Sequence, residues 1–242
     1  MRTLFAQTRA ELTLTLRNGE QLLLTIAIPV LVLAFFSLVE VLPLPEGTDE
    51  AVDFLAPGVL ALAVLSTAFT SLAIATGFDR QYLVLKRLGA TPLGRPRLLA
   101  AKTIAVLGVM VVQAVVLVGV AVALGWRPEL DPVPLVGGLA LATVGFAGLA
   151  LLMAGTLPGL TTLAAANGIY VVLLLFGDMV IPLESMPGAL ATIAELLPSA
   201  ALAELLRAGF DGAQSADASA WLVLGAWAVA ASAAAARWFR WE

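Results

Sequence analysis

The 242-residue chain contains neither cysteine nor histidine. The absence of cysteine excludes disulfides, thiolate nucleophiles and iron–sulfur ligation, and the absence of histidine removes the usual metal ligand and proton carrier. Hydrolases built on a Ser–His pair are therefore excluded, and no metal site is expected. A P-loop, G-x-x-x-x-G-K-[ST], is also missing, so the chain does not cradle ATP by that route. Any use of ATP has to come from a partner.

Charged residues are scarce as well. They make up 12% of the chain against 61% hydrophobic residues, whereas about a quarter of a soluble globular domain is normally charged. A chain of this composition belongs in a lipid bilayer. Its formal net charge of -4 leaves no broad basic face, so nucleic acid is not expected as a partner.

Six apolar stretches reach or approach the roughly 20 residues with which a helix crosses a membrane. With the composition, they predict an all-α polytopic membrane protein, built as one transmembrane domain over residues 1–242. The predicted spans are Leu22–Leu42, Phe54–Phe78, Thr103–Trp126, Val133–Thr156, Leu160–Ile181 and Ala220–Ala236.

The distribution of Lys and Arg predicts the orientation, because these residues are retained on the cytoplasmic side. An arrangement with both termini in the cytoplasm puts eleven of them inside and leaves Arg127 and Arg207 outside. The expected location is therefore the cell membrane, with an N-in, C-in topology. The eleven are Arg2, Arg9, Arg17, Arg80, Lys86, Arg87, Arg95, Arg97, Lys102, Arg237 and Arg240.

Two segments are neither spans nor simple loops. Residues 1–21 mix leucines with arginines, which suits a helix in the inner membrane interface, although a solvated tail is the alternative. Residues 183–219 contain two apolar runs of about ten residues, opened by Pro187 and Pro198. Runs of that length are too short to cross, so re-entrant or outer-interface helices are expected before the last span and tail, 220–242.

The segment FDRQYLVLKRLGATPLGRPRLLAAKT, residues 78–103, holds six of the thirteen Lys and Arg residues. Asp79 is suited to cap a helix from Arg80 to Leu88, in which Tyr82, Leu85 and Leu88 share one face. Gly89 ends that helix, and Thr91 with Pro92 suits the start of the next. The cations alone are explained by topology and anionic lipid. The apolar face favours a helix that docks in a groove of a cytoplasmic protein.

The string DRQYLVLKRLGATPL, residues 79–93, resembles the signature of ABC-2 type permeases, which are six-span subunits of ABC exporters. That signature reads acidic-R-E-x-G-T-L-[KE]-x-L-x-x-T-P-[LVI], followed by a Lys. Gln81 replaces its second acidic residue and Leu83 replaces its glycine. Residues Ile181–Arg207 resemble the outer segment between the last two spans of the same family. The fitting positions of the signature are Arg80, Leu85, Lys86, Leu88, Thr91, Pro92, Leu93 and Lys102.

The resemblance implies that residues 79–89 form a coupling helix, which seats on a separate cytoplasmic ABC ATPase subunit. ATP and Mg²⁺ would be bound in that subunit, and this chain would hold no cofactor and catalyse no reaction. A second permease subunit, identical or homologous, is implied too. The positions implied to face the ATPase are Asp79, Arg80, Gln81, Tyr82, Leu85, Lys86, Arg87, Leu88, Thr91 and Pro92.

The first, second and fifth spans line the transport path in this family. By analogy with its daunorubicin-type members, the substrate is expected to be hydrophobic or amphipathic: a drug, lipid or natural product moved outward. Phe35, Phe36 and Phe69 are candidates for the path, or else contact lipid or pack in the core. Asp178 either contacts substrate at the outer end of the path or is solvated or paired there, and Glu40 carries the same alternatives.

Other polar and small residues have structural interpretations. Gln113 and Asn167 are expected to bond neighbouring helices, and Gly145, Gly148 and Gly155 are expected to allow close helix packing. Two alternative functions stay open: a self-sufficient proton-coupled carrier that uses Asp178 or Glu40, and a membrane scaffold whose basic helix docks a cytoplasmic protein.

Overall fold

The computed structural model describes residues 2–17, 19–39, 50–89, 94–212 and 215–241. Within these ranges all regular structure is helical and no strand occurs, which confirms the all-α prediction. A π-helical segment, Leu65–Ser71, joins α3 to α4, and a short 3₁₀ turn, Leu183–Ser185, precedes α9. The helices are α1 Arg2–Arg17, α2 Gly19–Leu38, α3 Ala51–Val64, α4 Leu72–Gln81, α5 Val84–Gly89, α6 Arg95–Ala123, α7 Pro132–Thr156, α8 Gly159–Leu175, α9 Gly188–Glu195, α10 Pro198–Phe210 and α11 Ala218–Trp238.

Four of the helical stretches in the described part of the chain are long and apolar enough to cross a membrane. They correspond to the predicted second, third, fourth and sixth spans, so the chain is a multi-pass membrane protein. The first and fifth predicted spans coincide with shorter apolar helices, Thr25–Leu38 and Gly159–Leu175. The four are Ala51–Gln81, Ala100–Ala123, Pro132–Thr156 and Ala218–Trp238.

The predicted pair of short helices before the last span is present. The first begins after Pro187 and the second begins at Pro198, because proline fits the first helical turn, where no backbone N–H is needed. Their axes meet at 79°, and taken as one bent unit the pair is long enough for a fifth crossing. Helix length in the described residues therefore supports four crossings, or five if the bent pair is one crossing, whereas six were predicted.

The core is centred on α3 and the π-helical segment. From Val52 to Leu65 almost every side chain is buried, and Phe69 is fully buried as well. A helix that is apolar all round is covered by neighbours on all sides, and here α2, α6, α7 and α10 supply them. The π-helical segment Leu65–Ser71 is wound more widely than an α-helix, and π-turns of this kind are often found at functional sites.

Helices α7 and α11 pack closely through small residues, as predicted. A Cβ atom added to Gly148 would lie 2.7 Å from the backbone nitrogen of Ser232, and one on Gly145 would lie 3.4 Å from Cα of Ala228. The buried face of α11 consists mainly of alanines, which lets the two backbones approach. Gly155 extends the contact to Phe239, beyond the end of α11.

The two ends of the helix bundle differ in charge. We call the end that holds the last turn of α4, α5, the first turns of α6 and residues 237–241 the basic end. The other end, which holds Trp126, Asp178 and Arg207, is called the opposite end. The described cations at the opposite end are Arg127 and Arg207, whereas the basic end as defined here contains Arg80, Lys86, Arg87, Arg97, Lys102, Arg237 and Arg240.

Candidate functional site

The predicted N-cap at Asp79 is wrong. Helix α4 continues through Asp79 and ends at Gln81, since the Tyr82 N–H still bonds to the Phe78 carbonyl oxygen at 2.9 Å. A turn at Tyr82 and Leu83 follows, and α5 begins only at Val84. The predicted helix from Arg80 to Leu88 is thus divided by a turn.

Leu83 gives this turn its shape. Its φ is 59°, in the left-handed region, which costs a non-glycine residue about 1–2 kcal/mol. This is the position where the signature of ABC-2 type permeases has glycine. The glycine of the signature thus corresponds to a backbone conformation that favours glycine. This chain keeps the same conformation with a leucine at position 83.

Asp79 instead joins an ion-pair network around Lys102. The Lys102 Nζ lies 2.6 Å from Asp79 Oδ2 and 3.2 Å from Glu11 Oε2, and the Lys102 side chain is only 6% exposed. Gln7 Nε2 donates to the other carboxylate oxygen of Glu11 at 2.9 Å. One ammonium group thereby holds α1, α4 and α6 together. Glu11 was not predicted to take part, because its partner lies 91 residues away.

The apolar face of α5 is turned into the protein. Leu85 is fully buried against Leu98 of α6, and Leu88, Phe239 and Trp241 pack around them. These contacts occupy two of the three apolar residues predicted to share an outward face. Their observed role is to fix α5 to the rest of the chain.

The surface of this region is formed by the side chains of residues 81–87 that are not packed inward. Tyr82 is 65% exposed, and its ring stacks on Phe78 with centroids 6.1 Å apart. We call the exposed residues Gln81, Tyr82, Leu83, Lys86 and Arg87 the exposed tip. Four of the ten predicted coupling residues, Gln81, Tyr82, Lys86 and Arg87, lie on the exposed tip, whereas Leu85 and Leu88 pack inward and Asp79 is engaged by Lys102. Thr91 and Pro92 lie outside the described residues.

At the opposite end, Asp178 is paired. Its carboxylate forms an ion pair with Arg207, which also donates to the backbone carbonyl oxygen of Asp178. The Leu183 N–H donates to the same carboxylate at 2.9 Å, and the Arg207 guanidinium lies 4.2 Å from the ring centroid of Phe54. Of the two alternatives for Asp178, the structure therefore favours the paired one.

The three phenylalanines predicted for the path have different surroundings. Phe69 is fully buried, so within this chain its side chain packs in the core. Phe35 is 54% exposed and Phe36 is half-buried, and their rings meet edge to face at 5.1 Å. Phe35, and to a lesser degree Phe36, stays open to a path or to lipid. Glu40 lies outside the described residues.

Two deeper polar residues, Gln113 and Asn167, were predicted to bond neighbouring helices, and only the first does so. Gln113 accepts from Thr67 Oγ1 at 2.7 Å and donates to the backbone oxygen of Thr25 at 3.0 Å, so it bonds neighbouring helices as predicted. Asn167 donates to Leu163 within its own helix at 2.8 Å and is exposed. It makes no bond between helices among the described residues, because its side chain faces away from the bundle.

A cavity of about 310 Å³ opens between α6, α7 and α11. Its lining is mostly small and apolar, and it also includes Thr103, Ser232 and Trp241. The helices that line it are the third, fourth and sixth predicted spans. It therefore lies off the path that the resemblance assigns to the first, second and fifth.

These features define a multi-pass helical membrane protein with a charged, exposed tip at one end. The sequence profile of the ABC-2 type transporter family matches residues 2–210, so the chain belongs to that family. The family assignment confirms the resemblance and makes the chain a membrane permease component of an ABC transporter. Comparison with curated proteins gives no match to this chain.

Proposed function

We propose that this chain is the membrane subunit of an ATP-driven exporter, and that the exposed tip docks on a separate cytoplasmic ATPase subunit. ATP and Mg²⁺ would be bound by that subunit. In this arrangement α2 and α8 are two further, shorter crossings, α9 and α10 form a re-entrant segment, and both termini lie in the cytoplasm. The concentration of cations in the half with the basic end supports this orientation.

The observation that carries the proposal is the attachment of the exposed tip. Leu85 fastens α5 to α6 through Leu98, and Lys102 fastens the last turn of α4 to α1 and α6. A force applied to Tyr82 or Arg87 is therefore passed to three helices rather than absorbed by a loose loop. Close-packed contacts transmit small displacements because interiors are barely compressible.

The proposed cargo is hydrophobic or amphipathic, of the kind that daunorubicin-type permeases export. The scarcity of charge in the spans supports it, since a polar solute would require a lined aqueous channel. A second permease subunit completes the path. In the single chain, large apolar side chains of α8 are exposed, which supports a partner helix there: Leu160, Ile169, Val171, Val172 and Leu175.

Affinity purification in mild detergent tests the ATPase partnership. We expect a P-loop ATPase to co-purify with the wild-type chain and to be lost from the Lys86→Glu/Arg87→Glu variant. Arg237→Glu is the control, because Arg237 is an exposed cation in the same half of the bundle but not on the exposed tip. Its complex should be retained. The thermal stability of all three proteins should agree, since changes to exposed side chains rarely exceed about 0.5 kcal/mol.

Two results would contradict the proposal. One is an ATPase that stays bound to the double charge-reversal variant as tightly as to the wild type. The other is transport by reconstituted protein that persists without any ATPase and collapses with the proton gradient. The latter would favour the proton-coupled carrier instead.

A further inference from the structure

The cavity between α6, α7 and α11 runs from the basic end to the middle of the bundle. Toward the basic end it is lined by Trp241, which follows α11, and by Thr103, near the start of the membrane-crossing part of α6. Its lining residue farthest from that end on α7 is Val144, the central residue of Pro132–Thr156. At about 1.5 Å per residue, Val144 lies about 18 Å along the helix axis from Thr156. This depth is close to the ~15 Å that one leaflet contributes to the hydrocarbon core.

Small side chains leave this space open. Ala147 and Gly148 of α7 and Ala235 and Ala236 of α11 line the cavity, and none of them carries more than a methyl group. Protein interiors are otherwise close-packed, with few spaces larger than a water molecule. A volume of about 310 Å³ where three helices meet is therefore a place where a ligand gains close contacts that the chain itself does not supply.

The lining selects an apolar ligand that enters from the side. Val144 is 48% exposed and Ala236 is exposed, so the cavity reaches the outer surface of the bundle within the membrane. The Ser232 hydroxyl donates to the Val144 carbonyl oxygen at 3.3 Å, which engages a polar group of the lining. Charged side chains of the described chain do not line the cavity. A solute with a polar body would lose its hydration here without gaining partners.

The size of the cavity limits the apolar ligands that fit. An α-helix with its side chains is about 10–12 Å wide, so one leaflet's length of it fills roughly 1,000 Å³, about three times the volume available. Pockets for drug-sized molecules extend over about 300–1,000 Å³, so this cavity is at their lower limit. A single hydrocarbon chain is narrow, apolar and as long as one leaflet. Two exposed cations, Arg237 and Arg240, directly follow the lining residues Ala236 and Phe239 and complement a phosphate at the surface.

We propose that the cavity binds one acyl chain of a membrane phospholipid, whose head group lies at the basic end. The chain packs against the small residues of α7 and α11 on one side and against Thr103 of α6 on the other. It thereby joins α6 to the closely packed pair of α7 and α11. This site is distinct from the transport path, which the resemblance assigns to other spans. The proposed function contributes only the leaflet, which is the cytoplasmic one.

Native mass spectrometry of the delipidated chain, titrated with phosphatidylglycerol that carries sixteen-carbon chains, tests the site. Wild type is compared with Ala236→Phe and Val144→Phe, each of which puts an aromatic ring at the cavity. The control is Ala230→Phe, at an exposed position on the opposite face of α11. We expect each cavity variant to bind the lipid at least about tenfold more weakly, which corresponds to two displaced methylene groups. The control should bind it within about twofold of the wild type.

Two further ligands show which part of the lipid is recognised. Phosphatidylglycerol with six-carbon chains should bind the wild type at least about a hundredfold more weakly, because each methylene removed lowers binding about fourfold. Daunorubicin, an amphipathic drug, should not displace the long-chain lipid.

Several outcomes would overturn the proposal. These are equal binding of the long-chain lipid by wild type and both cavity variants, an equal loss in Ala230→Phe, equal binding of the short-chain lipid, or displacement of the lipid by daunorubicin, which would make the cavity a cargo site. If one cavity variant does not fold, the other carries the test, because Val144 and Ala236 lie on different helices and are both exposed. The experiment contains no ATPase, so its result is independent of whether the exposed tip docks one.

Discussion

Replacing Lys102 by methionine removes the ammonium group that joins α1, α4 and α6. The substitution keeps the unbranched side chain as far as Cε but leaves Glu11 and Asp79 without their shared cation. Breaking a buried ion pair from one side costs about 3–5 kcal/mol. Lys102 is 6% exposed, whereas Glu11 is 18% and Asp79 30% exposed, so water relieves part of the penalty on the carboxylates. We therefore expect a loss near the lower limit, about 3 kcal/mol.

Thermal unfolding in detergent measures this loss. For a chain of this size, 1 kcal/mol corresponds to about 2–4 °C, so the Tm of Lys102→Met should fall by about 6–12 °C. Arg97→Met is the matched control, since Arg97 is an exposed cation near the start of the same helix. Its Tm should change by less than about 2 °C.

A second variant distinguishes two contributions to the lost stability, the unpaired carboxylates and the changed packing at Lys102. The triple variant Glu11→Gln/Asp79→Asn/Lys102→Met has no charge left in this network, so most of the lost stability should return. The reasoning is refuted if Lys102→Met is as stable as Arg97→Met. It is refuted equally if the triple variant is no more stable than Lys102→Met alone.

Two further substitutions test the backbone arguments by the same measurement. Leu83→Gly should raise the Tm by about 1–4 °C, because relief of the left-handed strain outweighs the entropy that glycine adds to the unfolded chain. The control Val84→Gly lies in the helical backbone next to Leu83 and should lower the Tm. Gly148→Ala should lower stability by about 1–3 kcal/mol, since the new methyl group meets the backbone of Ser232 and only separation of α7 and α11 makes room. Gly225→Ala faces open space and should be neutral or stabilising, and equal effects at the two glycines would contradict the packing argument.

Features that depend on one residue's own chemistry were predictable. Gly145 and Gly148 were expected to allow close packing, because a missing side chain permits close approach whatever the partner is. The helix starts at Pro187 and Pro198 were predictable for the same reason, since proline suits a first turn in any context. The left-handed position at residue 83 was visible only through the glycine that the family signature has there.

Features that depend on a distant partner were missed. The amphipathic face of α5 was visible in the sequence, but its cover, Phe239 and Trp241, comes from the other end of the chain. Asp79 has the chemistry of a helix cap, and the ammonium of Lys102 provided a stronger partner across space. Local patterns show that a face is apolar or that a carboxylate needs a donor, and they do not show what meets it.

The predicted fifth span illustrates a competing interaction. The apolar run continues to Ile181, yet α8 ends at Leu175. Gly177 lies close to the Leu173 carbonyl oxygen and to Ser199, and Asp178 adopts a left-handed conformation that ends regular helix. Its ion pair with Arg207 of α10 then holds the chain in that bend. Hydrophobicity sets the upper limit of such a helix, and the observed helix ends where the chain bends toward this ion pair.

The described residues after α11, Phe239, Arg240 and Trp241, hold neighbouring helices together. Phe239 and Trp241 cover α5, while the Arg240 N–H holds the segment to α7, so α5, α6, α7 and α11 are joined outside the bilayer core. Trimming this short tail would uncover α5, although all five residues of the exposed tip stay in the chain. If the exposed tip docks an ATPase as proposed, loss of the tail would resemble a defect in energy transfer, because α5 would no longer be covered by Phe239 and Trp241. Affinity tags on this protein are better attached away from Trp241.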